Sequence, residues 1–161
     1  MIFPFEKYNL EGGKFIMDIL KEEIGEYLSK RKYLNLATSS KNGKPLSHPI
    51  AYINIGTDVY FSTNKTTRKA KNIAENPNVA YSVYDSTDHL DEIRLVQMEG
   101  VAAEITDKTK YEDILQKLNG KFPFAKNILI DKDTIVVKIT PKFCYYCDYN
   151  KRFGRIEEVE F

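Results

Sequence analysis

The stretch STNKTTRKAKN, residues 62–72, concentrates the side chains best able to do chemistry. Thr66 or Thr67 is placed to cap a helix, and Ala70, Ile73 and Ala74 give the i, i+3, i+4 apolar spacing of a short helix that Asn76-Pro77 stops. Its first turn then holds Arg68 and Lys69, with Lys65 before and Lys71 after. A helix N-terminus already carries partial positive charge and favours Asp or Glu, so these four cations stand at the wrong end. A basic helix start alone is ordinarily a solvated surface. Here a strand ending in Ser62, Thr63 and Asn64 precedes it, and Thr66 and Thr67 add hydroxyls. Free backbone N–H groups, the helix dipole, hydroxyls and a guanidinium fork converge on one place, where a dianionic phosphate would relieve the repulsion. The glycines of the nucleotide P-loop, G-x-x-x-x-G-K-[ST], are absent.

Two further residue types invite chemistry. His48 and His89 are the two histidines. His48 lies in the strand-like run LSHPIAYINI, where it either bonds a ligand and exchanges a proton near neutral pH or serves as a rim residue; His89 sits in the acidic loop DSTDHLDE and reads as solvated. Cys144 and Cys147 form a C-x-x-C, but no second Cys or His pair accompanies it to make a zinc site. In an extended strand residues three apart face opposite sides, so the pair reads as two unrelated thiols.

The elements that must position these groups follow from periodicity. Ile16, Leu20, Ile24, Tyr27 and Leu28 predict an amphipathic helix over about 14–31, with Gly25 costing it about 1 kcal/mol relative to Ala. YLNLATS, a turn on Asn42-Gly43, and LSHPIAYINI predict a hairpin; VYFST is a third strand that delivers the basic helix. NVAYSVYD and RLVQMEGVAAEI follow as strands. Thr106 or Thr109 caps a helix bearing Tyr111, Ile114, Leu115 and Leu118 and ending at Asn119-Gly120. TIVVKIT is the sixth strand, prolonged by FCYYCDY after Pro141. Strands joined by tight turns give a largely antiparallel sheet, and six of them close most easily into a barrel with flanking helices, a mostly β fold.

The 161 residues suit a single domain, 1–161, and 24 basic against 23 acidic residues leave no global field to argue for nucleic acid or an anionic membrane. No apolar run approaches the roughly 20 residues that span a bilayer, and MIFPFEKYNLEGGK lacks the order of a secretory signal, so the expected location is cytoplasmic, where both cysteines stay reduced. Eleven tyrosines and nine phenylalanines without tryptophan suggest an aromatic core and interface.

LNLATSSKNGKPLSHPIAY, then VYFSTNKTTRKAKNIAENPNVAYSVYD, then a strand with Glu99-Gly100-Val101-Ala102, resembles the pyridoxamine 5'-phosphate oxidase-like, flavin-binding split β-barrel family. The resemblance covers about residues 15–140, and its most specific part is T-N-x-x-[ST]-R-K-A with N-P-x-V at helix length; ITPKFCYYCDYNKRFG is similar to the tail of short bacterial members. It implies a homodimer of six-stranded antiparallel split barrels with FMN in two clefts at the subunit interface. The family's phosphate ligands fall on Thr67, Arg68 and Lys69. Ser62 and Thr63 match the strand end that contacts ribityl and phosphate, and His48, Pro49, Ile50 and Ala51 match the strand whose backbone runs along the isoalloxazine. Arg94 and Lys151 are candidate contacts from the neighbouring subunit, and Tyr145, Tyr146, Tyr149 and Phe153 are either covers for the ring or its substrate from that subunit or, for most of them, interface packing.

Two departures limit the resemblance. The vitamin B6 oxidase has a glutamine five residues before the glycine of the fifth strand, where this chain has Leu95, with Gln97 two places on. Its substrate-binding arginine and histidine have no counterpart in KRFGRIEEVEF. The implied function is therefore an FMN-dependent oxidoreductase acting on a small molecule, without carrying over B6 oxidation. Relatives that use F420 or haem keep those cofactors open, with His48 the candidate axial ligand, as does a flavin-binding sensor or store without turnover.

Overall fold

The computed structural model describes residues 10–124 and 130–161. Eight strands form one antiparallel sheet: β1 (Tyr33–Ser39), β2 (Pro45–Ala51), β3 (Ile53–Ile55), β4 (Asp58–Asn64), β5 (Asn78–Tyr84), β6 (Arg94–Glu104), β7 (Thr134–Asp148) and β8 (Glu157–Glu160). Their spatial order is β2-β1-β5-β6-β7-β4-β3, with β8 also on β7. The two ends of this path, β2 and β3, are neighbours in sequence, joined through Tyr52, so the sheet curls back on itself as a split barrel. Eight strands replace the expected six because the run LSHPIAYINI breaks at Tyr52 and the C-terminal EEVE adds a short partner to β7. FCYYCDY does continue β7 through Pro141.

Three helices flank the sheet: α1 (Leu10–Ser29), α2 (Arg68–Glu75) and α3 (Lys108–Lys121). The apolar stripe of α1 delivers Leu20, Ile24, Tyr27 and Leu28 into a core shared with Leu36, Tyr52, Phe61, Met98, Ile139 and Tyr146. Ile114 and Leu118 of α3 cover a second, smaller core on the other side of β4 and β7, with Ile53, Tyr60, Phe122 and Val136. β4 and β7 are thus buried on both faces in part, which is why VYF and TIVV read as unbroken apolar runs.

Local chemistry explains where the elements start and bend. Asp107, between the two expected threonines, caps α3 by accepting from Lys110 N at 2.7 Å. Gly25 has a packing reason: a Cβ there would stand 3.1 Å from Gly56 O, and Asn54 Nδ2 bridges Gly25 O and Gly56 O at 3.0 and 2.7 Å. Gly100 sits at a register shift between β6 and β7, where a Cβ would fall 2.7 Å from Thr140 O.

Candidate functional site

The strand β4 ends at Asn64, whose side chain organises the turn into α2. Asn64 Oδ1 accepts from Thr66 N at 2.9 Å and from Thr66 Oγ1 at 2.7 Å. Thr67 is the cap: its Oγ1 donates to Asn64 O at 2.8 Å, accepts from Ala70 N at 3.4 Å, and lies 3.1 Å from Thr63 Oγ1. The first bond of the helix runs from Lys71 N to Thr67 O, so the N–H groups of Arg68 and Lys69 precede it and face outward from the helix start.

The four cations of this turn do not behave alike. Lys65 is held by Asp133 at 2.6 Å and Thr66 is spent on Asn64, so both serve the turn. Arg68, Lys69 and Lys71 have no carboxylate partner among the described residues. Lys69 is part-buried, and burial pushes its ammonium below the ordinary lysine value. What converges is therefore Thr63, Thr67, Arg68, Lys69 and two free N–H groups. Ser62 is exposed and, next to Thr63 along a strand, points to the opposite face; the structure does not bring its side chain into the group.

His48 joins this group from β2. The strand pairs with β1 only, with His48 opposite Leu36, so its outer edge leaves backbone groups unpaired. His48 is half-buried, and burial first, then the charges of Lys69 and Arg68, lowers its pKa from the usual histidine value. Its Nε2 lies 3.3 Å from Thr38 Oγ1, which in turn accepts from Asn72 Nδ2 at 3.0 Å. Both Thr38 and Asn72 are buried. The pairing of Thr38 and Asn72 spans 34 residues, which local pattern reading had no means to find. Ile50 is buried in the core and offers only backbone; Pro49 points to the opposite face, and Ala51 packs against the smaller core.

On the outer face of the sheet, Ala37, Ser47, Ala80, Ser82, Gln97 and Tyr145 line an open groove of about 360 Å³. Small side chains on adjacent strands keep this face shallow. Leu95 is partly exposed at the position of the oxidase's glutamine, and Gln97 is the glutamine that reaches the groove.

Other candidates lie elsewhere. Arg94 binds Asp148 through Nε at 2.8 Å and lies over the ring of Tyr27. It pairs at one end of β7 while the helix-α2 turn adjoins the other, 14 residues away by register, roughly 45 Å of strand path, and within this chain the structure does not bring it to this group. Lys151 pairs with Glu23 at 3.0 Å. Tyr146 is fully buried, Tyr149 packs on exposed Phe153 at 5.3 Å between ring centroids, and Tyr145 alone of the four lines the groove. Cys144 and Cys147 are buried free thiols, and burial pushes Cys144 up to about 12. No group of three or more His, Cys, Asp or Glu able to hold a metal occurs among the described residues. No described helix is long and apolar enough to cross a membrane.

Comparison with known proteins agrees with this fold. Residues 20–147 match the family model described as pyridoxamine 5'-phosphate oxidase. The chain is 30% identical over 129 residues to general stress protein 26 of Bacillus subtilis (strain 168), covering 76% of this chain and 84% of that protein. Among solved structures it superposes on HutZ, the haem storage protein of Vibrio cholerae, with a TM-score of 0.65 at 18% identity, over 74% of this chain and 88% of that one. It also superposes on an F420 reductase with a TM-score of 0.58 at 25% identity, over 74% and 94% of the two chains. With most of its length matched by the family model and its sheet curled as theirs, the chain belongs to the pyridoxamine 5'-phosphate oxidase family, as a short split-barrel member.

Proposed function

We propose that the protein is an FMN-binding flavoprotein, a cytoplasmic homodimer with FMN at the subunit interface, and an oxidoreductase acting on a small molecule. The observation that carries this reading is the pair Arg68 and Lys69: two cations without carboxylates, at a helix start whose N–H groups are free. Desolvating Lys69 beside Arg68 costs free energy unless an anion joins them. A phosphate monoester supplies that anion, with Thr63, Thr67, Arg68 and Lys69 around it. The residues therefore fit the phosphate end of FMN.

In this reading the unpaired edge of β2, from His48 to Ala51, offers N–H and C=O groups to the polar rim of the ring. The outer groove with Gln97 and Tyr145 is the surface that ring, substrate and second subunit share. Arg94 and Lys151 belong to the far end of β7 and contribute, if at all, across the dimer. FMN when bound supplies hydride and single-electron transfer. The protein's own part is to bind, orient and exclude water, and no side chain is assigned as acid or base.

A second reading changes the cofactor, because structural neighbours include proteins named for haem storage and for F420 reduction. For haem, His48 would present Nδ1, since Nε2 faces Thr38. An absorption spectrum of the protein purified from a flavin-producing host, repeated after FMN addition and desalting, tests both. Bands near ~450 and ~375 nm support FMN, and a Soret band lost in His48→Ala supports haem. A colourless protein that retains no FMN would reject the flavin reading.

A further inference from the structure

The chain Asn72–Thr38–His48 runs from the buried face of α2 to the ligand side of β2, and its direction has a chemical consequence. Asn72 lies four residues after Arg68 and three after Lys69, so it sits one turn below them on the same helix face. Its Nδ2 points inward to Thr38 Oγ1. Thr38 is 2% exposed, and with Asn72 donating to its oxygen, the remaining hydrogen-bond partner of its hydroxyl among the described residues is His48 Nε2 at 3.3 Å. A buried hydroxyl donor left unpaired costs more than the bond itself contributes. His48 Nε2 is thereby an acceptor, and the ring proton of neutral His48 resides on Nδ1. Among the described residues Nδ1 has no hydrogen-bond partner and is not among the buried polar atoms that lack one, so it opens to solvent beside the cations of α2.

We propose that Asn72 and Thr38 are positioning residues that fix His48 as the Nδ1–H tautomer, making it a neutral hydrogen-bond donor for an anionic ligand oxygen beside Arg68 and Lys69. The ligand half of this statement rests on the phosphate reading above; the tautomer half does not. Neutral imidazole in water prefers its proton on Nε2, so the relay holds His48 in the less common form. Two cations and a neutral donor then suit an oxyanion better than three cations, because the third charge would have to be desolvated beside the other two.

The test uses the full chain labelled with 15N, with His89→Gln to assign the ring signals. At a pH where His48 is neutral, Nδ1 should resonate as protonated and Nε2 as unprotonated; the reverse pattern overturns the proposal. Asn72→Asp presents acceptors where Nδ2 was, reverses the relay, and should move the proton to Nε2. Thr38→Val removes the relay and should return the ring to its solution preference, which keeps the test decisive should the buried aspartate prevent folding. A ring that stays Nδ1–H in Thr38→Val shows that the relay does not fix it. Inorganic phosphate, but not chloride, should then shift the Nδ1 signal, and Thr38→Val should weaken phosphate binding roughly fivefold. Absence of any phosphate response with the tautomer intact would reject the phosphate reading and leave the relay standing.

Discussion

The two ends of β7 differ in how they treat positive charge, although Lys65 at the N-terminal end is paired with Asp133. At its C-terminal end, Arg94 is neutralised by Asp148, Arg31 by Asp85 through Nε at 2.7 Å, and both guanidiniums lie over the ring of Tyr27, whose hydroxyl donates to Arg94 O at 2.9 Å. Asp148 is 2% exposed, and Tyr146 adds its hydroxyl at 3.4 Å. At the N-terminal end, Arg68 and Lys69 have no such partners among the described residues. Arg68 is exposed and Lys69 part-buried, so the contrast is between half-buried guanidiniums whose counter-ions lie within the chain and cations whose counter-ions, among the described residues, do not. The first arrangement ties charge into the fold, where removing one partner is costly; on the reading proposed above, the second leaves charge for a ligand to pair.

The sharpest way to break this contrast is to remove a carboxylate at the paired end. Asp148→Ala leaves Arg94 half-buried beside Tyr27 without its counter-ion and should destabilise the protein by about 3 kcal/mol in urea unfolding. A loss below about 1 kcal/mol would mean that the pair is solvent-screened and the contrast empty. At the other end, Arg68→Ala should weaken FMN binding by about 2 kcal/mol while shifting ligand-free stability by less than about 0.5 kcal/mol. A sharp fall in ligand-free stability would instead make Arg68 structural. Thr67→Ala removes the cap of α2 and should cost about 1 kcal/mol of stability, read from the same urea transitions.

The smallest effect is in pH. His48 in the folded chain binds its proton below the ordinary histidine value, near Arg68 and Lys69, so the unfolded chain takes up more protons as pH falls below about 6.5. Ligand-free stability should be unaffected by this group above that pH and decline below it until the folded-state pKa is passed. His48→Gln should remove that part of the slope. A slope unchanged by His48→Gln would assign the acid sensitivity to other groups.

Much of the helix-α2 site was legible because its information is local. The strand end, cap, basic turn and Asn76-Pro77 stop lie within 16 residues, and Thr67 is indeed the cap. What could not be read depends on partners far along the chain. Lys65 looked like a fourth free cation until Asp133 was seen beside it. Arg94 gave no sign of Asp148, 54 residues later. Thr38 and Asn72 look like ordinary strand and helix polar residues until the β1–α2 packing makes them meet. The same holds for the fold: apolar patterning covered the strand segments between residues 33 and 148 but read β2 and β3 as one, and nothing in LSHPIAYINI said that the sheet's two ends would meet at Tyr52.

That meeting point leaves β2 with one open edge. β3 is tied to β4 and, through Asn54 Nδ2 on Gly25 O, to α1, and Tyr52 bonds Lys32 O and Leu28 O, whereas β2 pairs with β1 alone. β5, β6 and β7 have a strand on each side and β2 has one, so amide exchange should be slow in the former and faster along the β2 seam. His48 lies on that seam, so a ligand lying along β2 would act as a fastener, and its arrival would be recorded as slowed exchange at an edge most of whose atoms it never touches.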